Sequence, residues 1–598
     1  MDRNTFTGFF LILIILVGSM YLMKPSEEEL KREKVVQDSI KNSKSAKIAS
    51  TPKTPVQQPA PVLDSSVIKG PFGAARLGTS ESIVLENEEL KVNISTKGGR
   101  VESVELKNFK TYDHKPVIMF TGAESGFDLT FKANGADIHT KDLFFQASAK
   151  NLNVSKKDSG TVVLSATYGP NQSLEYVYSL KGEGFKLGFD IVSKGLDNVI
   201  SSAPSIHWDA ILRQKEKDIA GEQKYSGSYY FRQDEVERLG MTKDEKKDFS
   251  QEDKIKWVSF KQHFFSNVLI AKDGFDKASL QVTTSSEPGV VKQFSANLTL
   301  PAKKQSYPFE FYFGPNRFNT LKDQGYDLDK QVDLGWGPLK LVNRFAVIPI
   351  FNTLEKFHWS YGLIILVLTL ILKVVLSPLT YKSYLSMAKM RVLKPEMDEI
   401  KAKVGEDNAT LLQQEYLKLY KKAGVNPLGG CIPMLLQMPI VMAFFFFFPN
   451  LFELRGESFL WMKDLSTYDS FISFGFNMPF LGNHLSLMCI LMTISTLIYT
   501  YFNNQTSGAT GQMKYIGYIT PIIFLGVLNS YPAGLNYYYF LANMLTFGQQ
   551  FLIRQMVNDD KIHAQIQENK KKPEGEKKQS KFQQRMEDYM RQQQSKKK

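Results

Sequence analysis

The chain has 598 residues, a formal net charge of +13 and 43% hydrophobic residues, with a mean hydropathy of -0.23. Its two cysteines, Cys431 and Cys489, lie in apolar stretches away from any Cys-x-x-Cys or Cys/His cluster, which argues against a disulfide framework, a zinc site or any other metal or cofactor. The excess positive charge flanks apolar segments instead of marking a folded nucleic-acid face, and no Gly-x-x-x-x-Gly-Lys-Ser/Thr loop is present, so neither sequence-specific nucleic-acid binding nor ATP-driven work is expected.

Taken in chain order, residues 1–23 read as an uncleaved signal-anchor. Thr5 to Met23 carries no charge and is long enough to cross a bilayer at ~1.5 Å per residue. It lacks the shorter apolar region and small-x-small cleavage site of a secretory signal. Residues 24–75 are proline-rich and charged, which marks a linker. Over 76–330 the pattern turns to period-2 alternation, as in SIVLENEELKVNIST, SLEYVYSL and FKLGFDIVS. Turn residues separate these runs at Lys97-Gly98-Gly99, Gly169-Pro170-Asn171 and Lys194-Gly195. That is the signature of an all-β sandwich. His114, His207, Asp209 and His263 are its chemical candidates by residue type, but they show no motif spacing, and the chain is read as a non-enzyme.

Residues 335–358 mix apolar and basic positions and read as an amphipathic helix on the outer surface, with a plain connector as the rival. Five apolar segments follow across 359–553: Tyr361 to Leu379, Leu428 to Leu454, Leu485 to Phe502, Tyr515 to Tyr531 and Gly534 to Ile553. With the anchor they make six spans, which puts both termini on one side. The basic loop 382–426 and the basic tail 554–598 then both fall in the cytoplasm, as the positive-inside bias requires. The fold class is therefore a membrane helix bundle with an exported β-sandwich. Within the loop, Met390, Leu393, Met397, Ile400 and Val404 repeat at 3-4-3-4 spacing. Gly405 to Asn408 makes a turn, and Leu412, Tyr416, Leu419 and Ala423 continue the stripe, which predicts a helical hairpin. The tail from Arg554 is Lys- and Gln-rich and is expected to be disordered.

Lys373 is the charge that matters most. A lysine at the centre of a span costs ~2.5–3.5 kcal/mol. It either snorkels to the inner interface or faces a water-filled cavity. Thr369, one turn earlier, and Gln437, in the next span, are further polar groups in apolar surroundings. Their convergence favours a hydrophilic cavity. Pro378, Pro433, Pro439, Pro521 and Pro532 add bends whose freed carbonyls need protein or water.

Three stretches then resemble the YidC family of insertases, in its Gram-negative form with a large periplasmic domain: YKSYLSMAKMRVLKPEMDEIKAK from Tyr381, AGVNPLGGCIPMLLQMPIVMAFF from Ala423, and YPAGLNYYYFLANMLTFGQQFLI from Tyr531. Over the β region TKGGRVESVELKNF is similar to the family's sandwich, which is related in shape to sugar mutarotases. The resemblance implies five core spans around a groove open to cytoplasm and lipid, in a bacterial inner membrane. Lys373, in LILKVVLSPLT, matches the position of a groove arginine, so the charge is kept and the bidentate fork lost. Thr369, Gln437 and Tyr539 match other polar groove positions, while Asn529 and Asn536 stand where apolar residues are more usual. Met434, Met438, Val441, Phe524 and Val527 are expected to form a greasy slide for the substrate's apolar span. The implied partners are nascent integral membrane proteins, the Sec translocon, membrane lipids, and the ribosome through the basic tail and hairpin. The main competing reading is a secondary transporter with an exported sensor domain, which should show inverted repeats that are not seen. A membrane-anchored carbohydrate-active enzyme would leave five spans unexplained.

Overall fold

The computed structural model describes residues 70–405, 409–425, 432–479, 481–507 and 512–572. The anchor, the linker as far as residue 69, and the tail beyond 572 lie outside the described residues. The chain divides into two compact units between Val332 and Asp333.

The first unit is built on the alternation seen in the sequence. A nine-stranded sheet runs, edge to edge, through residues 235–239, 227–232, 255–261, 265–275, 306–315, 186–194, 172–181, 159–169 and 146–147. A six-stranded sheet runs through 245–249, 277–283, 290–299, 205–213, 125–133 and 136–139. Their inner faces meet through aromatic rings. Trp208 stacks on Phe260 at 3.9 Å, and Phe127 stands edge-on to Phe189 at 5.6 Å and to Phe311 at 6.1 Å. A five-stranded sheet (116–118, 101–110, 90–95, 82–86, 151–153) completes the β unit, its last pair parallel. Two short helices, α1 (Ile219–Lys224) and α2 (Phe318–Gln324), decorate it. The three predicted turns hold left-handed residues: Gly98 and Gly99 at φ 81° and 62°, Asn171 at 58°, Gly195 at 63°. At Gly99 a Cβ would also sit 2.8 Å from the Tyr176 ring, so glycine is required twice over.

In the second unit, α3 (Gly337–Val342) passes through a π-turn at Asn343–Val347 into α4 (Ile348–Glu355). Leu339, Val347, Phe351 and Leu354 are buried, and Leu341 and Phe345 are exposed. Asn343 fixes this segment, its Nδ2 donating to Leu334 O at 3.0 Å and Ala443 O at 2.8 Å. Next comes α5 (Tyr361–Val392), 32 residues long. Among the described residues it is the helix long and apolar enough to cross a membrane; Met438–Asn450 and Tyr515–Leu528 are shorter apolar helices. α5 does not stop where the apolar run ends at Leu379. Pro378 removes one backbone donor, and the carbonyl it would have served, Val374 O, accepts instead from Ser377 Oγ at 2.8 Å. The helix runs on through Lys382 to Val392, into the stretch expected to be a helical hairpin.

The predicted hairpin is formed by α6 (Lys394–Val404) and α7 (Ala409–Ala423), with Gly405 at φ 79° ending the first arm. After it come α8 (Ile432–Phe447), α9 (Leu487–Ser507), α10 (Gln512–Leu528), α11 (Ala533–Met556) and α12 (Asp559–Lys571). α12 corrects the expectation of a disordered tail from Arg554. Asn558 caps it, its Oδ1 accepting from Asp560 N at 2.9 Å and Lys561 N at 3.2 Å. Asp559 and Asp560 begin it and Lys570 and Lys571 end it, both favourable to the helix dipole. Ile562 and Ile566, one turn apart, enter a core shared with Tyr384, Ala388, Leu393, Leu419 and Ala423. Polar composition concealed the two isoleucines that suffice to dock one face.

Candidate functional site

The helices of the second unit are joined by polar side chains along one stripe of α11. Tyr539, Asn543, Thr546 and Gln549 recur at helical spacing, so they share a face. Between them they reach three neighbouring helices. The Tyr539 hydroxyl donates to Val441 O of α8 at 3.2 Å. Asn543 Nδ2 donates to Ser495 Oγ and Thr496 Oγ1 of α9, both at 2.9 Å. Thr546 Oγ1 accepts from Lys373 Nζ of α5 at 2.7 Å and donates to Ala542 O at 2.6 Å. Gln549 Nε2 donates to Lys373 O at 2.9 Å.

Lys373 is only 7% exposed. Its head turns to α11, where Thr546 accepts its hydrogen bond. A buried ammonium in apolar surroundings is costly unless hydrogen-bonded, and in a low dielectric it attracts an approaching carboxylate far more strongly than in water. Thr369 is buried one turn away, but its hydroxyl is taken up by Ile365 O of its own helix at 2.6 Å. Lys373 and Thr369 are thus buried one turn apart on α5, with Lys373 bonded to α11, and Tyr539 bonds α11 to α8. The side chains of Gln437 and Met434 lie outside the described residues. Met438 (48% exposed), Phe524 (45%) and Val527 (43%) stand open on α8 and α10, and Val441 is half-buried on α8.

Sequence reasoning missed Asn543, Thr546 and Gln549. Their signal was available, three amide or hydroxyl residues at three-residue intervals within an apolar segment. Asn529 and Asn536 also gain clear roles. Asn529 is fully buried and binds the loop before α9, Nδ2 donating to Leu481 O at 2.8 Å and His484 O at 2.7 Å, Oδ1 accepting from Ser486 N at 2.9 Å. Asn536 Nδ2 donates to Leu528 O at 3.1 Å, closing the turn between α10 and α11.

In the β unit the candidates by residue type do not form one site. His207 lies between Asp209 (3.1 Å) and Asn297 (2.7 Å) on an outer sheet face. His263 is stacked between Tyr225 (4.6 Å) and Phe264 (3.8 Å), and His114 is an exposed turn residue at φ 63°. Among the described residues no group of three or more His, Cys, Asp or Glu is placed to hold a metal.

Two family models match the chain: the YidC periplasmic domain over residues 82–344 and the 60Kd inner membrane protein over residues 353–561. A membrane protein insertase YidC of Parabacteroides distasonis is 38% identical over 634 aligned residues, covering 99% of this chain and 98% of its own. One from Bacteroides fragilis is 37% identical over 602, covering 97% and 96%. The crystal structure of an active YidC insertase with its first transmembrane domain resolved aligns with 79% of this chain and 92% of its own, at 18% identity and a TM-score of 0.31, a likeness too slight to argue from. The identities over nearly full length are decisive: the chain belongs to the YidC family of membrane protein insertases.

Proposed function

We propose that this inner-membrane insertase works through a polar groove centred on Lys373, lined by Thr369, Gln437 and Tyr539, with Thr546 and Gln549 holding the lysine in place. The observation that carries the reading is the buried Lys373 ammonium bonded to Thr546 between α5 and α11. A hydrophilic tail is kept out of hydrocarbon mainly by desolvation. A polar recess partway into the bilayer shortens that barrier, and its cation draws acidic residues in. The substrate's apolar span then passes along Met434, Met438, Val441, Phe524 and Val527 into lipid, driven by hydrophobic transfer.

In this reading the chain crosses the membrane six times, with both termini and the hairpin in the cytoplasm and the β unit in the periplasm. It acts alone or beside the Sec translocon as insertase and folding chaperone. The basic hairpin and tail meet the ribosome through RNA phosphates, and lipids flank the open groove. The test is protease protection of the acidic tail of a small single-span protein in proteoliposomes carrying wild type, Lys373→Ala, or no protein. Protection by wild type alone supports the groove. Equal protection by Lys373→Ala removes Lys373 from it. Wild type no better than empty liposomes refutes unaided insertion.

A further inference from the structure

Between α8 and α9 the chain folds into an antiparallel hairpin, Ile472–Met478 against Gly482–Leu485, with Ile472 opposite Leu485 and Ser473 opposite His484. The ladder shifts register between Ser473 and Met478, and within that stretch the Phe474 and Phe476 rings lie 6.0 Å apart. Three apolar side chains here are open, Phe471 at 64%, Phe476 at 61% and Ile472 at 44% exposed, while Phe474 and Met478 are half-buried.

The hairpin is nevertheless firmly held. Asn529 binds it through the three bonds described above. His484 Nε2 pairs with Asn529 O at 3.0 Å, and its ring stacks on Tyr468 at 3.7 Å. Asp469 accepts from the Ser486 hydroxyl, from Met488 N at 3.0 Å and from Trp461 Nε1 at 3.1 Å. A buried polar framework therefore presents an apolar face outward. Such a face is a built surface, and a frayed loop would have no such framework.

The flanking chain indicates what covers it. Leu485 lies two residues before the start of α9, and Asn529 directly follows α10. In the topology proposed above, on which this inference rests, both are outer ends of spans. From Ser470 to Met513 there is no Asp, Glu, Lys or Arg. The apolar face thus offers no charge or side-chain hydrogen bond for a protein to read. Trp461 and, before α5, Phe345 and Phe357 are also exposed, and the same topology puts them outside, where aromatic rings collect at the membrane–water boundary. We infer that the hairpin 471–485 rests in the outer-leaflet interface, with Ile472 and Phe476 against acyl chains. Its two-stranded sheet cannot close on itself, which limits the depth, because hydrocarbon does not tolerate open sheet edges. It lies at the headgroup boundary as interfacial helices do, and it fixes the outer ends of α9 and α10 at that level.

The test uses the full chain in phosphatidylcholine–phosphatidylglycerol liposomes, with Cys431 and Cys489 replaced by serine. A polarity-sensitive fluorophore is placed on Phe476→Cys, on Ser473→Cys on the opposite strand face, or on Lys132→Cys in the β unit. The expected result is several-fold stronger quenching of the Phe476 probe by a lipid carrying a nitroxide near its headgroup than by aqueous iodide. The Lys132 probe should show the reverse, and Ser473 should fall between. Iodide quenching at Phe476 equal to that at Lys132 overturns the inference, as does shielding from both quenchers, which would mean a protein cover. Labelling of Lys132→Cys and Lys403→Cys by an impermeant thiol reagent separates the two readings. Opposite sides with a wet Phe476 probe refute the hairpin's placement alone, and the same side refutes the topology.

Discussion

Lys373 and Thr546 stand 173 positions apart in the chain and 2.7 Å apart in space, joining α5 to α11 by one charged hydrogen bond. Removing one partner leaves the other buried and unsatisfied, at a cost of about 1–3 kcal/mol. Thr546→Val should therefore lower the thermal midpoint of the detergent-solubilised protein, and Thr546→Ser should restore it. Adding Lys373→Met to Thr546→Val should recover part of the loss, because no ammonium is then stranded. Strictly additive single and double variants would mean that the bond contributes nothing.

Asn529 carries its weight through three hydrogen bonds to the hairpin loop. Asn529→Leu, of similar volume, strands Ser486 N and two carbonyls. The expected result is faster proteolysis between residues 470 and 486, with the remainder of the chain cleaved at the wild-type rate. An unchanged fragment pattern would show that the Tyr468–His484 stack alone holds the loop.

α12 should be a working part of the hairpin. Ile566 is 1% exposed in the shared core, and truncation of such a residue costs about 2–5 kcal/mol. The ion pair of Arg391 with Asp559 at 2.7 Å and that of Lys570 with Glu396 tie α12 to α5 and α6. Ile566→Ala should speed hydrogen exchange over 394–423 well above wild type and leave the β unit unaltered. Equal protection in both proteins would make α12 a passenger.

The β unit carries an acid-sensitive cluster. Burial alone would raise the Glu237 carboxyl, but Arg232 (2.6 Å), Tyr230 (2.8 Å) and Lys247 (3.1 Å) outweigh it and hold its pKa down to about 2, below the ordinary 4.5. The folded state then binds fewer protons than the unfolded one between those values. Its stabilising contribution is complete above pH 4.5 and fades as the pH falls toward 2. Wild type should exceed Glu237→Gln in urea midpoint at pH 6, with the gap closing by pH 2. A gap that does not change with pH would exclude the ionised carboxylate as its source.

Much of this architecture was legible in the sequence because its causes are local. Alternation over 172–181 and 186–194 and glycine at 98, 99 and 195 dictate strands and turns. The 3-4-3-4 stripe from Met390 dictates a hairpin. Lys373 was conspicuous because a lone charge in an apolar run has few physical excuses. Its partner was not, since the bond to Thr546 depends on how α5 and α11 pack. α12 was misread because average composition hides a two-residue apolar contact, and the continuity of α5 from the apolar span into the hairpin was not legible because polarity, not backbone geometry, marks the change near Lys382. The β-hairpin at 472–485 fell in the stretch between two apolar segments that was given no element, and its ladder shifts register between Ser473 and Met478, so no clean period of two marks it.

The unbroken course of α5 has a mechanical meaning. Ser377 makes good the backbone bond lost at Pro378 and leaves the helix continuous, with Lys373 five residues to one side and the helix end at Val392 fourteen to the other. At ~1.5 Å per residue the arms are ~7.5 Å and ~21 Å. A rigid rod turned about that point would move its ends in a ratio of about three to one. A displacement of ~3 Å imposed on the hairpin's root would then arrive at the ammonium as ~1 Å in the opposite sense, enough to lengthen a 2.7 Å bond past use. Movement of the hairpin would thereby be geared down into a release of the charge.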